Sequence, residues 1–257
     1  MQQTIFGMLR IKNEARWITR VIESILPACA HVFILDDNST DNTVELCEAF
    51  DRVSVFRSPF GTLDESRDKN WMLQKLFDAI PAADQHYLNG NPESPYWCLA
   101  IDGDEELAAG DAAILAEIVK GQLHTFSPRM LYLWDRPNQV RVDGVYANFR
   151  RPSLFRLMNR DFTYKSTPWG NGANFHCSNI PQEMLHHSTT TDARLLHYGY
   201  LEREDRIRKT NWYNTIDPGN EAEDCYRHCV QGDVPEVPAD VKLRWAGPLT
   251  IVSLESA

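Results

Sequence analysis

The chain has 257 residues, which suits one large domain or two closely joined ones. Hydrophobic residues make up 43 % and charged residues 24 %, as in a globular protein. The net charge of −10 argues against a partner held by attraction to a phosphate backbone, so no nucleic-acid partner is expected. No apolar stretch approaches the ~18 residues of a transmembrane helix, and the charged N-terminus does not resemble a signal peptide. We therefore expect a cytoplasmic protein and leave peripheral membrane contact open.

Six cysteines are scattered along the chain, and several sit inside apolar segments. Reduced cysteine packs there as a small buried side chain, so we predict free thiols in a reducing cytoplasm. The segment Cys225-Tyr-Arg-His228-Cys229 could ligate zinc, but it lacks a second ligand pair at the spacing of a zinc site. We therefore do not favour zinc.

The first 120 residues alternate between strand-like and helix-like patterns. Strands are predicted at 4–9, 31–37, 53–58 and 97–102, and helices at 14–26, 39–50, 65–80 and 111–120. The second helix is expected to be capped by Ser39-Thr-Asp, whose side chains supply acceptors for free N–H groups. This order predicts an α/β fold with a parallel sheet flanked by helices.

The pattern changes after residue 121. Further strands are predicted in RMLYLWD, SLFRLMN and ARLLHYGYL, followed by a helix over 202–216. We interpret the basic residues of that helix, from Arg203 to Lys209, as a solvated face, and contact with an anionic ligand is the alternative. The last forty residues carry no clear pattern. We treat residues 1–257 as a single domain in two parts, 1–120 and 121–257.

Acidic residues follow two of the predicted strands. Asp36 and Asp37 end one, and Asp102 and Asp104 end another. In parallel sheets ligands bind at the carboxyl ends of the strands. Residues i and i+2 of an extended segment point the same way, so Asp102 and Asp104 can face one cation. Two carboxylates ~4 Å apart repel by about 4 kcal/mol near a protein surface, and Mg²⁺ or Mn²⁺ would offset that cost.

Simpler explanations exist for these residues. Asp36 and Asp37 could only cap a helix, and residues 102–105 could form a solvated turn. Capping does not explain why both acidic sites share one sheet edge. The first β-α turn lacks GxGxxG, so a standard NAD site is not expected.

Four segments in order resemble the nucleotide-binding half of a GT-A glycosyltransferase of family 2: MLRIKNEARWI, VFILDDNSTDNT, ESRDKNWML and CLAIDGDEEL. The resemblance extends less tightly to HCSNIP (176–181) and LLHYGYLEREDRIRK (195–209). It implies a Rossmann-like, mostly parallel sheet flanked by helices. Residues 1–120 would bind the nucleotide-sugar, and residues 121–257 would form the acceptor side with C-terminal helices.

The resemblance also implies residue roles. The nucleotide would contact Met8, Leu9, Arg10, Asp36, Asp37, Arg67, Asn70, Asp102 and Gly103. A divalent cation, Mn²⁺ or Mg²⁺, would bind Asp102, Asp104 and His197. A buried histidine that only makes hydrogen bonds is the alternative for His197.

The implied reaction moves one sugar from a UDP-, GDP- or dTDP-sugar to a hydroxyl of a saccharide, a lipid-linked sugar or another acceptor. Inversion at the anomeric carbon needs a carboxylate base. Asp192 is the first candidate because it precedes His197 by five residues, and Glu183 is the second; Asp143 and Glu202 are further candidates. The absence of QxxRW favours transfer of a single sugar.

Three other functions compete with this one. A haloacid-dehalogenase-like phosphatase also uses a DxD, but it usually has Thr or Val where Glu106 stands here. A sugar nucleotidyltransferase needs a glycine-rich first turn, which RIKNEAR is not. A protein that binds nucleotide-sugars without turnover would bind UDP in a metal-dependent way and release no product.

Overall fold

The computed structural model describes residues 2–166, 177–217 and 226–257. Its strands are β1 Thr4–Ile11, β2 Cys29–Asp36, β3 Val53–Arg57, β4 Tyr96–Asp102, β5 Glu105–Leu107, β6 Thr125–Trp134, β7 Arg136–Arg141, β8 Leu154–Arg156, β9 Thr189–His197 and β10 Ile251–Ser253. Its α-helices are α1 Ile18–Ile25, α2 Thr43–Glu48, α3 Glu65–Ala79, α4 Asp111–Ile118 and α5 Arg203–Ile216. None of the helices in these described ranges is long and apolar enough to cross a membrane.

The N-terminal half is built on four parallel strands. β1 lies between β2 and β4, and β3 pairs with the outer edge of β2. The two faces of this sheet bury separate apolar clusters, one against α1 and the other against α3. Periodic apolar residues such as Val21 and Ile22 in α1 and Leu73 and Leu76 in α3 are fully buried, so the helices pack as their patterns predict. The predicted α/β sheet is confirmed.

Antiparallel strands extend the same sheet. β8 pairs with β4 and with β6, and the hairpin of β6 and β7 continues the sheet to β10. β9 runs parallel to β6 and pairs on its other side with the short strand β5. The two halves of the chain therefore share one mixed sheet, and β5 and β9 connect the turn after β4 to the C-terminal part.

Two helices begin later than predicted. α1 begins at Ile18 because residues 14–17 form a turn in which Trp17 N–H donates to the Glu14 carbonyl at 2.9 Å. α2 begins at Thr43, and its N-cap Asn42 makes no side-chain capping bond. The predicted Ser39-Thr-Asp cap is confirmed only at its aspartate: Asp41 Oδ1 accepts the Thr43 N–H at 3.1 Å, whereas the Ser39 hydroxyl accepts the Asn13 N–H at 2.8 Å. The consequence is an irregular segment, 12–17, at the end of β1.

The described cysteines, Cys29, Cys47, Cys98, Cys177 and Cys229, are free. Burial raises the pKa of the Cys29 thiol to about 12, so that thiol stays protonated at neutral pH. Cys225, and with it the candidate zinc segment, lies partly outside the described residues.

Candidate active site

A cavity of about 860 Å³ opens at the carboxyl ends of β1 and β4. This is where a parallel sheet is expected to bind its ligands. The wall is strongly charged. Its side chains come from the ends of β1 and β4, from α3 and α5, and from the segments around residues 132, 151, 177 and 197: Arg10, Lys12, Glu14, Arg16, Asp37, Glu65, Lys69, Asp102, Asp104, Tyr132, Arg151, Asn179, His197, Tyr200, Asp205, Arg208, Lys209, Trp212 and Tyr213 among them.

The acidic turn after β4 is neutralised by two cationic side chains. Lys209 Nζ lies 2.6 Å from Asp104 Oδ2. Arg151 Nη1 lies 3.0 Å from Asp102 Oδ2, and the same guanidinium donates to the fully buried Glu105 carboxylate. Glu105 also accepts the Asp102 N–H at 3.0 Å, which closes the turn. The positive charges of Lys209 and Arg151, which lie far apart in the sequence, therefore compensate the negative charges of this turn.

Gly103, between the two aspartates, has no room for a side chain. A Cβ there would lie 2.8 Å from Glu14 Cγ and 2.9 Å from Ile11 Cγ2. The short spacer of the DxD therefore lets the end of β1 pack directly against the acidic turn.

His197 completes this cluster. Its ring packs against those of Tyr132 and Tyr200, with centroid distances of 5.1 Å, and the two tyrosine rings lie 5.8 Å from each other. Its Nδ1 accepts the Gly199 N–H at 3.1 Å, and its Nε2 lies 3.9 Å from Asp104 Oδ1.

Burial sets the protonation of these groups. It lowers the pKa of His197 to about 4, against the attraction of Asp104, so the ring is neutral at physiological pH. Burial raises the pKa of Glu105 to about 8 despite Arg151. Burial also acts to raise the pKa of Asp104, but Lys209 and His197 outweigh it and hold that pKa below its usual range. Asp104 is therefore negatively charged at physiological pH, and the neighbouring His197 ring is neutral.

These residues fit a divalent cation. Asp104, Glu105 and His197 each offer a ligand atom, and the three atoms lie within 4.8 Å of one another. Glu105 Oε1 is buried and makes no hydrogen bond to the described residues, so it has an unused acceptor. Two carboxylates and an imidazole are suitable ligands for Mn²⁺ or Mg²⁺. Asp104 and His197 were predicted as ligands and Glu105 was not; Asp102 lines the same cavity, and its role at the metal stays a prediction.

A second charged wall lies at the ends of β1 and β2. Arg10 donates to Asp37 at 2.8 Å and to Asp68 at 2.7 Å. Asp68, whose side chain is fully buried, also accepts from Arg67 at 2.7 Å. Arg10 and Asp37 line the cavity as predicted for the nucleotide side. Arg67 does not line the cavity; it shares Asp68 with Arg10, and its guanidinium lies 4.0 Å from the centroid of the Phe60 ring.

Other residues predicted to contact the nucleotide are turned away from the cavity. Met8 and Leu9 are buried in the two apolar clusters on opposite faces of the sheet. Asp36 is fully buried and accepts from Arg57 at 3.3 Å and from the Ser39 N–H at 3.1 Å. Asn70 makes two hydrogen bonds with the backbone of Tyr164, at 2.8 and 2.7 Å. Their side chains therefore stabilise the structure around the site.

The two residues predicted as the base do not line the cavity. Asp192 is exposed on β9, and five residues of strand separate it from His197, a distance of about 16 Å. Glu183 is exposed and accepts from the N–H and the hydroxyl of Thr163, at 3.0 and 2.9 Å. Their base role stays a prediction without support from their positions.

Several site residues were not predicted from the sequence. Lys69, near the start of α3, is buried and donates to Asn179 at 3.0 Å. The interpretation of the basic residues in α5 as a solvated face is wrong in part, because Lys209 reaches Asp104 and Arg206 is buried against Asp135 and Asp233. Arg151 gave no signal in the sequence. His176, in the weaker part of the resemblance, lies outside the described residues.

Comparison with known proteins bears on this site. The sequence model described as "Glycosyl transferase family 2" matches residues 10–73, which include Arg10, Asp37 and Asp68. The lipopolysaccharide core biosynthesis glycosyltransferase LpsC of Rhizobium meliloti (strain 1021) is 24 % identical over 215 residues, which cover 82 % of this chain and 69 % of LpsC. Residues 10–73 therefore carry the sequence pattern of glycosyltransferase family 2. These matches support the glycosyltransferase activity that the sequence motifs predicted, and the mixed α/β sheet is consistent with the predicted GT-A fold.

Two solved structures are also similar to this chain. S. aureus TarS shares 12 % identity at a TM-score of 0.42, over 84 % of this chain and 40 % of TarS. Glucosyl-3-phosphoglycerate synthase from Mycobacterium tuberculosis, solved with Mn²⁺, UDP-glucose and phosphoglyceric acid, shares 19 % identity at a TM-score of 0.34, over 51 % of this chain and 44 % of the synthase. The chain thus covers less than half the length of either protein. Both TM-scores are below 0.5, so the family assignment depends on the sequence matches.

Proposed function

We propose that this glycosyltransferase moves a single sugar from a nucleoside-diphosphate sugar to a hydroxyl acceptor, with a divalent cation at Asp104, Glu105 and His197. The proposal rests on one observation: the Arg10–Asp37 pair and the Asp104 cluster line the same cavity. The Arg10–Asp37 wall offers donors and acceptors suited to a base or a ribose, and the Asp104 cluster offers oxygen ligands suited to a cation. A nucleoside diphosphate needs both.

A cation bound to that cluster would stabilise the negative charge that develops on the leaving diphosphate. The chain's own residues contribute in other ways. Lys69 and Arg151 line the cavity beside the acidic turn, and both carry positive charge that a diphosphate would attract. The Tyr132 and Tyr200 rings hold the His197 imidazole in one orientation.

We further propose inversion at the anomeric carbon, with a carboxylate base on the acceptor side. Asp192 and Glu183 remain the candidates from the sequence. We also propose that residues 1–120 bind the donor and residues 121–257 bind the acceptor, a saccharide or a lipid-linked sugar, and that the protein works in the cytoplasm. The UDP-, GDP- and dTDP-sugars are the candidate donors. The family assignment does not favour a phosphatase or a protein that binds without turnover.

The first test is a thermal-shift panel with UDP, GDP, dTDP and CDP, each with and without Mn²⁺. One nucleotide should stabilise the protein in a metal-dependent way. Ligand at 100 times its Kd adds about 2.7 kcal/mol to the free energy of unfolding, which a thermal shift resolves readily. The stabilised nucleotide then selects the sugar donors for a transfer assay.

Asp104→Asn should abolish both the metal-dependent shift and sugar transfer while the protein stays folded. The matched control is Asp78→Asn, which removes the same charge from an exposed position of α3 and should behave as the parent. A flat panel in the parent, or an Asp104→Asn variant that turns over like the parent, would overturn the cation site.

A further inference from the structure

One ion pair joins α5 to the acidic turn. Lys209 Nζ lies 2.6 Å from Asp104 Oδ2, and the two side chains are only 19 % and 7 % exposed. The pair spans 105 residues of sequence. Because both groups are largely shielded from water, the lysine is the main compensation for the aspartate's charge on that side.

The backbone is shaped around this pair. A Cβ on Gly199 would lie 2.1 Å from Lys209 Nζ and 2.2 Å from Asp104 Oδ2. Glycine at this position therefore leaves the space in which the ammonium group meets the carboxylate. The same residue donates its N–H to His197 Nδ1 at 3.1 Å, so one glycine serves two members of the cluster.

Asp104 is also one of the three residues whose ligand atoms converge within 4.8 Å. A divalent cation that used Oδ2 would meet the Lys209 ammonium on the same oxygen. A cation that used Oδ1, on the His197 side, would still lie within a few ångströms of that positive charge. Like charges at such distances in a shielded site repel strongly. A metal ion bound to either oxygen of Asp104 would therefore be repelled by the Lys209 ammonium group.

We propose that Lys209 is a built-in competitor of the divalent cation: it neutralises Asp104 until the ion displaces it. This inference rests on the cation site of the proposed function. A displaced Lys209 stays in the cavity wall, where a donor diphosphate supplies a new negative partner. Metal and nucleotide should therefore bind cooperatively, because the diphosphate accepts the lysine that the metal expels.

The experiment titrates Mn²⁺ alone into the full chain, with free Mn²⁺ followed by electron paramagnetic resonance. Lys209→Met should bind Mn²⁺ about 5- to 150-fold more tightly than the parent, the range typical of coupling between two ligands of one protein. Lys120→Met is the matched control. It removes the same charge from a lysine that does not line the cavity, is 62 % exposed and pairs with Glu117, so its Mn²⁺ affinity should stay within about threefold of the parent.

A second measurement, of thermal unfolding, keeps the test informative if Lys209→Met is less stable than the parent. Lys209→Met leaves Asp104 without its partner and should unfold at a lower temperature, and Mn²⁺ should restore that loss by more than it stabilises the parent. Lys209→Gln serves if the methionine variant does not fold. Equal or weaker Mn²⁺ binding in a folded Lys209 variant would overturn the competition.

Asp104→Asn should bind no Mn²⁺, which places the ion at this cluster. If the parent and all variants fail to bind Mn²⁺, the competition and the cation site both fall. Sugar transfer measured in a metal chelator would then show whether the glycosyltransferase reaction itself survives without a metal.

Discussion

Asp68→Asn tests whether a buried carboxylate organises the nucleotide wall. Asp68 accepts from Arg10 Nε at 2.7 Å and from Arg67 at 2.7 and 2.9 Å, and its side chain is fully buried. Removing one partner of a buried ion pair costs about 3–5 kcal/mol. Here the loss is smaller, because asparagine keeps one acceptor oxygen and Arg67 is 30 % exposed and can turn to water. We expect a loss of about 2–3 kcal/mol in the free energy of unfolding.

Urea unfolding followed by far-UV circular dichroism measures this loss, and an unchanged m-value shows that the transition is comparable. The corresponding drop in Tm is about 4–12 °C for a chain of this size. Asp78→Asn lies in the same helix, is exposed, and should stay within about 0.5 kcal/mol of the parent. The reasoning fails if Asp68→Asn loses less than about 1 kcal/mol, or if both variants lose the same amount.

Two further predictions follow from positions around the site. Gly199→Ala should lose about 1–3 kcal/mol in the free energy of unfolding, because its Cβ would overlap Lys209 and Asp104. The control is Gly61→Ala, whose Cβ would have nothing within 4 Å. Equal urea midpoints for the two variants would show that the Gly199 position is not crowded. In a transfer assay Asp192→Asn and Glu183→Gln separate the two candidate bases: the residue that acts as the base should lose about a hundredfold in kcat, and the other should stay within about twofold of the parent. Retention of kcat by both variants would exclude both residues, neither of which lines the cavity.

The parallel half of the fold could be predicted because its elements have clear local patterns. Apolar runs mark β2 and β4, and helical periodicity marks α1 and α3. The rule that ligands bind at the carboxyl ends of parallel strands then places Asp37 and Asp104 at one cavity. Both side chains do line it. Local sequence was enough here because each residue's position follows from the element that it ends.

The remaining site residues depend on contacts that no local pattern encodes. Lys209 and Arg206 occupy one basic helix, yet one reaches the cavity and the other is buried with its guanidinium 4.2 Å from the centroid of the Trp134 ring. A run of basic residues looks the same in either case. The choice of Asp192 failed to account for strand geometry, since five residues of extended chain carry a side chain far from His197. Proximity in sequence is a poor guide to proximity in a sheet.

The pairing of Lys209 with Asp104 also has a consequence for synthesis of the chain. The turn after β4 is made 105 residues before its lysine. At ribosomal rates of about 5–20 residues per second, this interval lasts about 5–20 s. Throughout it a nascent chain can form the parallel strands, but Asp104 lacks its lysine partner. The acidic turn therefore lacks this positive charge until α5 has been synthesised and packs against it.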